Sequence, residues 1–271
     1  MQMSDLSRLL ENYARDGFVV VENCLTPEEV DDFLNDEPFG PAWTGGAQDL
    51  QRFRSEDHWR RLVSNDRVAS IAERLLGAAP RAVEAIFLPK APTGSELWAE
   101  AGIAFHRDVD HIRCDPPRLI GCWLALSDTD LENGGLCVAP GSQRQEPALL
   151  DEAQTRFKNS RIVNRMRDPD GREWTDEFDS NRFERLDLDE VVALRVPLGG
   201  AVFFDGRLVH GSFANLSADR PRLVASVHYV AEGSWVYRTD IQDTVAVSEL
   251  HPGRVNSESS TTQKSSVPAA R

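Results

Sequence analysis

No apolar run in the chain is long enough to cross a bilayer. The longest, Leu119 to Leu126, is broken by Gly121, and a membrane helix needs about 20 such residues. Met1 to Arg15 is polar and amphipathic, unlike a secretory leader, so a cytoplasmic location is the expectation. Cysteine is scarce too. Cys24, Cys114, Cys122 and Cys137 form no Cys-x-x-Cys pair and lack the density of a disulfide scaffold, which points to reduced, buried thiols. Positive charge is short, with 30 Lys and Arg against 44 Asp and Glu and a formal net charge of −14. That balance repels nucleic acid and anionic membrane surfaces, so neither is an expected partner. No internal repeat stands out.

What remains is an ordinary globular composition, 41% hydrophobic and 27% charged, with 271 residues to fill a core. One catalytic domain is expected over residues 1–250. The Ser/Thr/Pro-rich stretch 251–271, almost without bulky side chains, is expected to be disordered. Leu6, Leu9, Leu10 and Tyr13 recur at helical spacing behind the capping candidate Ser4 and before Gly17. Thr26-Pro27-Glu28-Glu29 opens a second helix, and Val68 to Leu76 forms another that stops at Gly77. Residues 38–57 and 91–102 read as loops, and 145–189 as a polar, weakly periodic insertion. Its basic run, Arg156 to Arg172, reads as a solvated face or an anion-attracting lid. Phe18 to Val21, Ala82 to Leu88, Leu119 to Leu126, Leu136 to Ala139, Val191 to Val196, Ala201 to Phe204 and Leu223 to Val230 read as short strands with Gly/Pro turns. Mainly β with packed helices, in a double-sheet jelly roll, is the predicted fold class.

The chemistry centres on Phe105-His106-Arg107-Asp108. His106 and Asp108 are two apart, so on a strand both side chains leave one face and can converge on an ion. Asp110 and His111 follow closely and stay open as alternative ligands. About a hundred residues later an apolar strand, Phe203-Phe204-Asp205, leads to His210, and beyond it stand Asn215 and Arg220-Pro221-Arg222. Two imidazoles and a carboxylate on one side of an ion leave its other side open, as non-haem Fe(II) requires. His58 and His228 read as structural. Trp123 and Phe105 read as core aromatics, with pocket lining as the alternative.

With these residues in order, the chain resembles the phytanoyl-CoA dioxygenase (PhyH) family of Fe(II)- and 2-oxoglutarate-dependent oxygenases. The likeness runs from Tyr13 to Val230 through Arg15-Asp16-Gly17, Lys90, His106-x-Asp108, Trp123, Glu132-Asn133-Gly134-Gly135, Pro140-Gly141-Ser142, His210 and Arg222. It implies a double-stranded β-helix, cupin-like, with His106, Asp108 and His210 as metal ligands and Fe(II), 2-oxoglutarate and O2 as cofactor and co-substrates. It further implies that oxidative decarboxylation to succinate and CO2 drives attack on an unactivated C–H bond. The distal carboxylate of 2-oxoglutarate calls for a bidentate donor, and Arg222 holds the family-like place for it. Arg220 stays open as its alternative. Lys90 reads as a second co-substrate contact or a surface charge.

A carboxylate at 108 fills the position that halogenating relatives leave to chloride, so hydroxylation, desaturation or rearrangement is expected instead. Two other classes compete: a non-catalytic cupin-like metal-binding protein and a zinc hydrolase. The expected partner is a small-molecule substrate, with the oligomeric state left open.

Overall fold

Leu119 to Ala125 carries apolar or small residues at both parities, as a strand covered on both faces requires. In the computed structural model, which describes residues 3–37, 49–92, 102–145, 161–179 and 188–251, that run lies within the larger of two facing sheets. The chain order begins with α1 (Met3–Asp16), β1 (Phe18–Val21), α2 (Pro27–Asp36), α3 (Asp57–Val63), α4 (Asp66–Leu76), β2 (Pro80–Phe87), β3 (Ile103–His106), β4 (Cys114–Asp115) and β5 (Leu119–Ala125). It continues with β6 (Cys137–Val138), β7 (Arg161–Arg167), β8 (Glu173–Asp179), β9 (Val192–Ala193), β10 (Ala201–Asp205), β11 (His210–Ser212), β12 (Val224–Ala231), β13 (Trp235–Val236), β14 (Val245–Ala246) and α5 (Val247–Leu250).

The large sheet runs β1-β10-β5-β12-β2-β14, and the small one β3-β11-β6-β9, with antiparallel pairing throughout. Strand alternation then assigns each residue a side. Ile120, Cys122 and Leu124 of β5, Phe203 of β10, and Val227 and Tyr229 of β12 pack against the helices. Trp123, Val202, Phe204 and Val224 point the other way, between the sheets, and meet Leu136 and Val138. This is the predicted jelly roll, with helices on one face.

Local chemistry fixes the helix ends. Thr26 and Glu29 form a reciprocal capping box on α2, and Asn65 caps α4, whose chain leaves through Gly77 at φ 61°. Ser4 is no cap, because α1 begins at Met3. α3, seven residues, is too short to show a period and went unpredicted. The expected strand Val191 to Val196 shrinks to β9, supplemented by a bridge between Thr129 and Val196.

The described part of the 145–189 insertion is a hairpin, β7 with β8, where no regular structure was expected. It is fastened to the C-terminal segment: the Trp235 indole donates to the Arg167 carbonyl (2.9 Å), Arg167 Nε donates to Gln242 (2.6 Å), and Met166 is buried. Arg165 and Arg172 lie on this hairpin, Arg165 at 3.9 Å from Glu173. Arg156, Lys158, the loop at 38–48, the rim at 93–101 and the tail at 252–271 lie outside the described residues. All four cysteines are buried free thiols, and no described helix is long and apolar enough to cross a membrane.

Gly121 is the one position in β5 where a side chain is sterically forbidden. A Cβ there would fall inside van der Waals contact of the Phe204 ring, which crosses the inner face of the sheet to lie 4.5 Å, centroid to centroid, from the ring of His210. Gly121→Ala is expected to lower stability by about 1–3 kcal/mol, the usual cost of overpacking. A denaturant midpoint equal to that of the parent would show that Phe204 moves aside freely.

Candidate metal centre

His106 ends β3 and His210 opens β11, and the two are direct partners in the antiparallel register. Opposed residues share a face, and their ring centroids are 4.4 Å apart. Each Nδ1 donates to the carbonyl two residues earlier, His106 to Ala104 (2.8 Å) and His210 to Leu208 (3.0 Å). A carbonyl can only accept, so the proton is on Nδ1 and the lone pair of Nε2 faces inward.

Asp108 does not share a strand with His106, contrary to the two-residue-spacing expectation. β3 stops at His106, and Asp108 opens a 3-10 turn over Asp108–Asp110. That turn is closed by Ile112 N–H on the Asp108 carbonyl (2.7 Å) and tied to the loop before His210 by Val109 N–H on Gly206 O (3.0 Å). The side chain thereby swings inward. Oδ1 lies 3.6 Å from His106 Nε2 and 3.5 Å from His210 Nε2. One ligand atom each from His106, Asp108 and His210 falls within 4.8 Å of the others.

Asp108 and His210 are buried, whereas the His106 side chain is 24% exposed, so the cluster opens on the His106 side. Burial pushes the His210 imidazole down to about 4, against the pull of Asp108. Burial would raise Asp108, yet the neighbouring His210 and His228, the latter also through its hydrogen bond, hold it well below the usual carboxylate range. A neutral imidazole and an ionised carboxylate are the forms that bind a metal, and the donor set fits Fe(II).

The neighbours sort themselves. Asp110 pairs with Arg107 (2.8 Å) and is not a member of the cluster. His111 Nε2 lies farther out, 3.9 Å from Oδ1. Phe105, of opposite parity to His106, packs on Phe213 at 6.0 Å. Trp123 is buried on the inner face, and the Arg222 guanidinium lies 5.9 Å from its ring centroid. His58 belongs to a separate network in which Arg52 bonds both Glu37 and Glu56 and His58 bonds Glu37, a saturated ion-pair cluster.

His228 was read as structural, and here the structure corrects the reading. Its Nε2 donates to Asp108 Oδ2 at 2.9 Å. Burial opposes a charge on this ring, but Asp108 and Glu84 raise its pKa to about 10. Parity along β12 was the available signal: with Val227 and Tyr229 turned to the helices, residues 224, 226 and 228 face the interior.

Lys90 and Arg222 lie together in the interior. Their backbones make a bridge, Lys90 N–H to Arg222 O (2.7 Å) and Arg222 N–H to Lys90 O (2.9 Å), which sets the two cations side by side. Both are essentially inaccessible, so a surface-charge reading of Lys90 is excluded. Lys90 Nζ donates to Ser212 Oγ (2.8 Å) and Phe213 O (2.5 Å); Arg222 donates to Gly134 O (3.1 Å) and Leu88 O (2.9 Å). Ser212 closes β11, the strand that His210 opens. Arg220 is elsewhere, paired with Asp130 (2.9 Å) and Glu132 (2.7 Å) on the surface.

A jelly roll carrying two imidazoles and a carboxylate at one opening, with a buried lysine bonded to Ser212 on the strand of His210, has the architecture of the 2-oxo-acid-dependent non-haem iron oxygenases. Comparison with known proteins gives the family: residues 40–224 match the model for phytanoyl-CoA dioxygenase (PhyH), and the chain belongs to that family. Fe(II), 2-oxoglutarate and O2 are the family's cofactor and co-substrates. The chain is 29% identical over 154 residues to Phytanoyl-CoA dioxygenase 1 of Oryza sativa subsp. japonica, covering 55% of this chain and 45% of that protein. It is 24% identical over 245 residues to the ectoine dioxygenase of Stutzerimonas stutzeri (strain A1501), covering 83% and 76%. It spans about half the length of the plant phytanoyl-CoA dioxygenases it matches. Among solved structures, the epimerase SnoN in complex with Fe3+, alpha ketoglutarate and nogalamycin RO is 25% identical with a TM-score of 0.66, covering 93% of this chain and 92% of that one.

Proposed function

We propose that the protein is an Fe(II)- and 2-oxoglutarate-dependent dioxygenase that hydroxylates an unactivated C–H bond of a small metabolite or natural-product intermediate, releasing succinate and CO2. The observation that carries this reading is the convergence of His106 Nε2 and Asp108 Oδ1, from β3 and the turn that follows it, with His210 Nε2 from β11, open on the His106 side. These three residues hold the ion. When bound, iron and 2-oxoglutarate together supply the oxidant, and the protein's part is orientation and exclusion of side reactions.

Arg222 takes the distal carboxylate of 2-oxoglutarate through its planar fork, and Lys90, fixed by Ser212, adds a second charge beside it. A carboxylate held by this buried pair would lie beside Ser212, on the strand that His210 opens. The surface pairing of Arg220 with Asp130 and Glu132 assigns it to the scaffold. A zinc hydrolase has no use for the Lys90–Arg222 pair, which counts against that reading.

The formal charge of −14 disfavours a polyanionic acyl-coenzyme A and supports a free small molecule as substrate. Hydroxylation and epimerisation can begin with the same hydrogen abstraction, so product mass separates them. Incubating the full chain with Fe(II), 2-oxoglutarate and a panel of metabolites is expected to give substrate-dependent succinate and a product heavier by one oxygen atom. Retention of metal with neither binding nor consumption of 2-oxoglutarate would leave a non-catalytic metal-binding protein in its place.

A further inference from the structure

Behind the proposed iron ligands runs a line of buried charges that the ligand set itself does not use. Asp108 Oδ2 accepts from His228 Nε2 at 2.9 Å, His228 Nδ1 lies 3.2 Å from Glu84 Oε1, and Arg238 Nη1 lies 3.8 Å from Glu84 Oε2. Arg238 is in turn gripped by Asp240, at 2.8 and 2.9 Å. Asp108 and Glu84 are 1% exposed and His228 5%. The His228–Glu84 contact is an ion pair without good hydrogen-bond alignment, while that to Asp108 is a well-formed hydrogen bond.

Topology sets this line up. Glu84 on β2 and His228 on β12 are partners in register, and the ladder bulges immediately after them. Bulges re-aim side chains next to functional sites. Both residues stand in mainly apolar, buried strands, where a well-packed apolar pair serves stability as well as a buried ion pair. What the charged pair does that an apolar one does not is place a hydrogen on Oδ2 of Asp108.

We propose that His228 is a positioning residue that holds Asp108 as a one-oxygen ligand, with Glu84 and Arg238 fixing the His228 ring. Oδ2 is occupied by the imidazole N–H, so only Oδ1 faces His106 and His210. Were Asp108 free to turn, its second oxygen would reach the ion and fill a position that a two-pronged keto acid and O2 require. The inference rests on His106, Asp108 and His210 being the metal ligands.

The test is Co(II) binding to the full chain, followed by calorimetry and by the visible spectrum of the bound ion, which reports its coordination. His228→Leu is expected to weaken Co(II) binding about 10–100-fold, the usual cost of losing a ligand's supporting partner, and to change the spectrum. His228→Gln, whose amide can still donate, is expected to recover affinity to within a few-fold. Should His228→Leu fail to fold, as judged by circular dichroism, Glu84→Gln takes its place; it retains His228 and is expected to lower affinity and shift the spectrum in the same sense. Wild-type affinity and spectrum in the folded Leu variant (or in Glu84→Gln), alongside lost binding in Asp108→Ala, would overturn the positioning role and leave the ligand set standing. Equal weakening in Leu and Gln would make the role one of packing and overturn the proposal. Wild-type Co(II) binding by Asp108→Ala would remove the ligand set, and this inference with it.

Discussion

Asp108→Ala is expected to cut substrate-dependent succinate release by more than about 100-fold, because loss of a direct ligand exceeds the ~10–100-fold that loss of a supporting partner costs. The expectation follows from position. Asp108 faces four imidazoles, with Oδ1 between 3.5 and 3.9 Å from His106, His111 and His210 and Oδ2 bonded to His228. Alanine removes both the charge that draws a divalent ion and the acceptor that orients His228. Asp108→Asn separates these effects, since its amide oxygen still accepts from His228 while the charge is gone. Metal content and succinate should therefore fall in both variants, with the asparagine form keeping the parent's thermal midpoint more closely. Succinate is measured by mass spectrometry with whichever substrate the metabolite panel returns. Wild-type turnover in either folded variant would take Asp108 out of the mechanism.

The sequence showed the three clustering residues before it showed how they are brought together. His106, Asp108 and His210 were legible because residue type, spacing and order coincided with a strand that ends on a histidine. The large sheet was legible because β5, β10 and β12 are apolar runs bounded by turn residues. Asp108 was assigned to a strand because a 3-10 turn of three residues leaves no periodic trace, and two-residue spacing on a strand suggests the same convergence. The turn achieves it by another route, through backbone bonds to Ile112 and from Val109 to Gly206 that no local pattern announces.

His228 and Glu84 were hidden for a different reason. Each is flanked by hydrophobic neighbours in a mainly apolar strand, and the hydrogen bond between His228 and Asp108 spans 120 residues of sequence. Only the register of β12 against β2 brings the two together. The hairpin of β7 and β8 escaped because its strands are largely polar, their outward faces solvated, and its anchoring to Trp235 and Gln242 is long-range. Lys90 could be read either way until the bridge to Arg222 placed it inside the sheets.

That bridge leads to the second large effect. Arg222→Lys is expected to raise the KM for 2-oxoglutarate about 10–100-fold, with kcat recovering toward the parent value at saturating co-substrate. A charge-assisted hydrogen bond contributes about 1.5–3 kcal/mol, and each 1.4 kcal/mol is tenfold in affinity. Lysine keeps the charge but loses the fork that grips two carboxylate oxygens at once. It also releases the donors that Arg222 places on Gly134 O and Leu88 O, which hold the guanidinium plane against Trp123. Arg220→Ala is the matched control, expected to leave the KM unchanged because that guanidinium faces Asp130 and Glu132 at the surface. The two arginines are one proline apart and would share a face on a continuous strand, but the Lys90 bridge holds Arg222 inward while Arg220, ahead of that bridge, faces its acidic partners. If the KM rises in Arg220→Ala and not in Arg222→Lys, the co-substrate lies on the outer side of this strand, and the buried Lys90–Arg222 pair has to be explained without it.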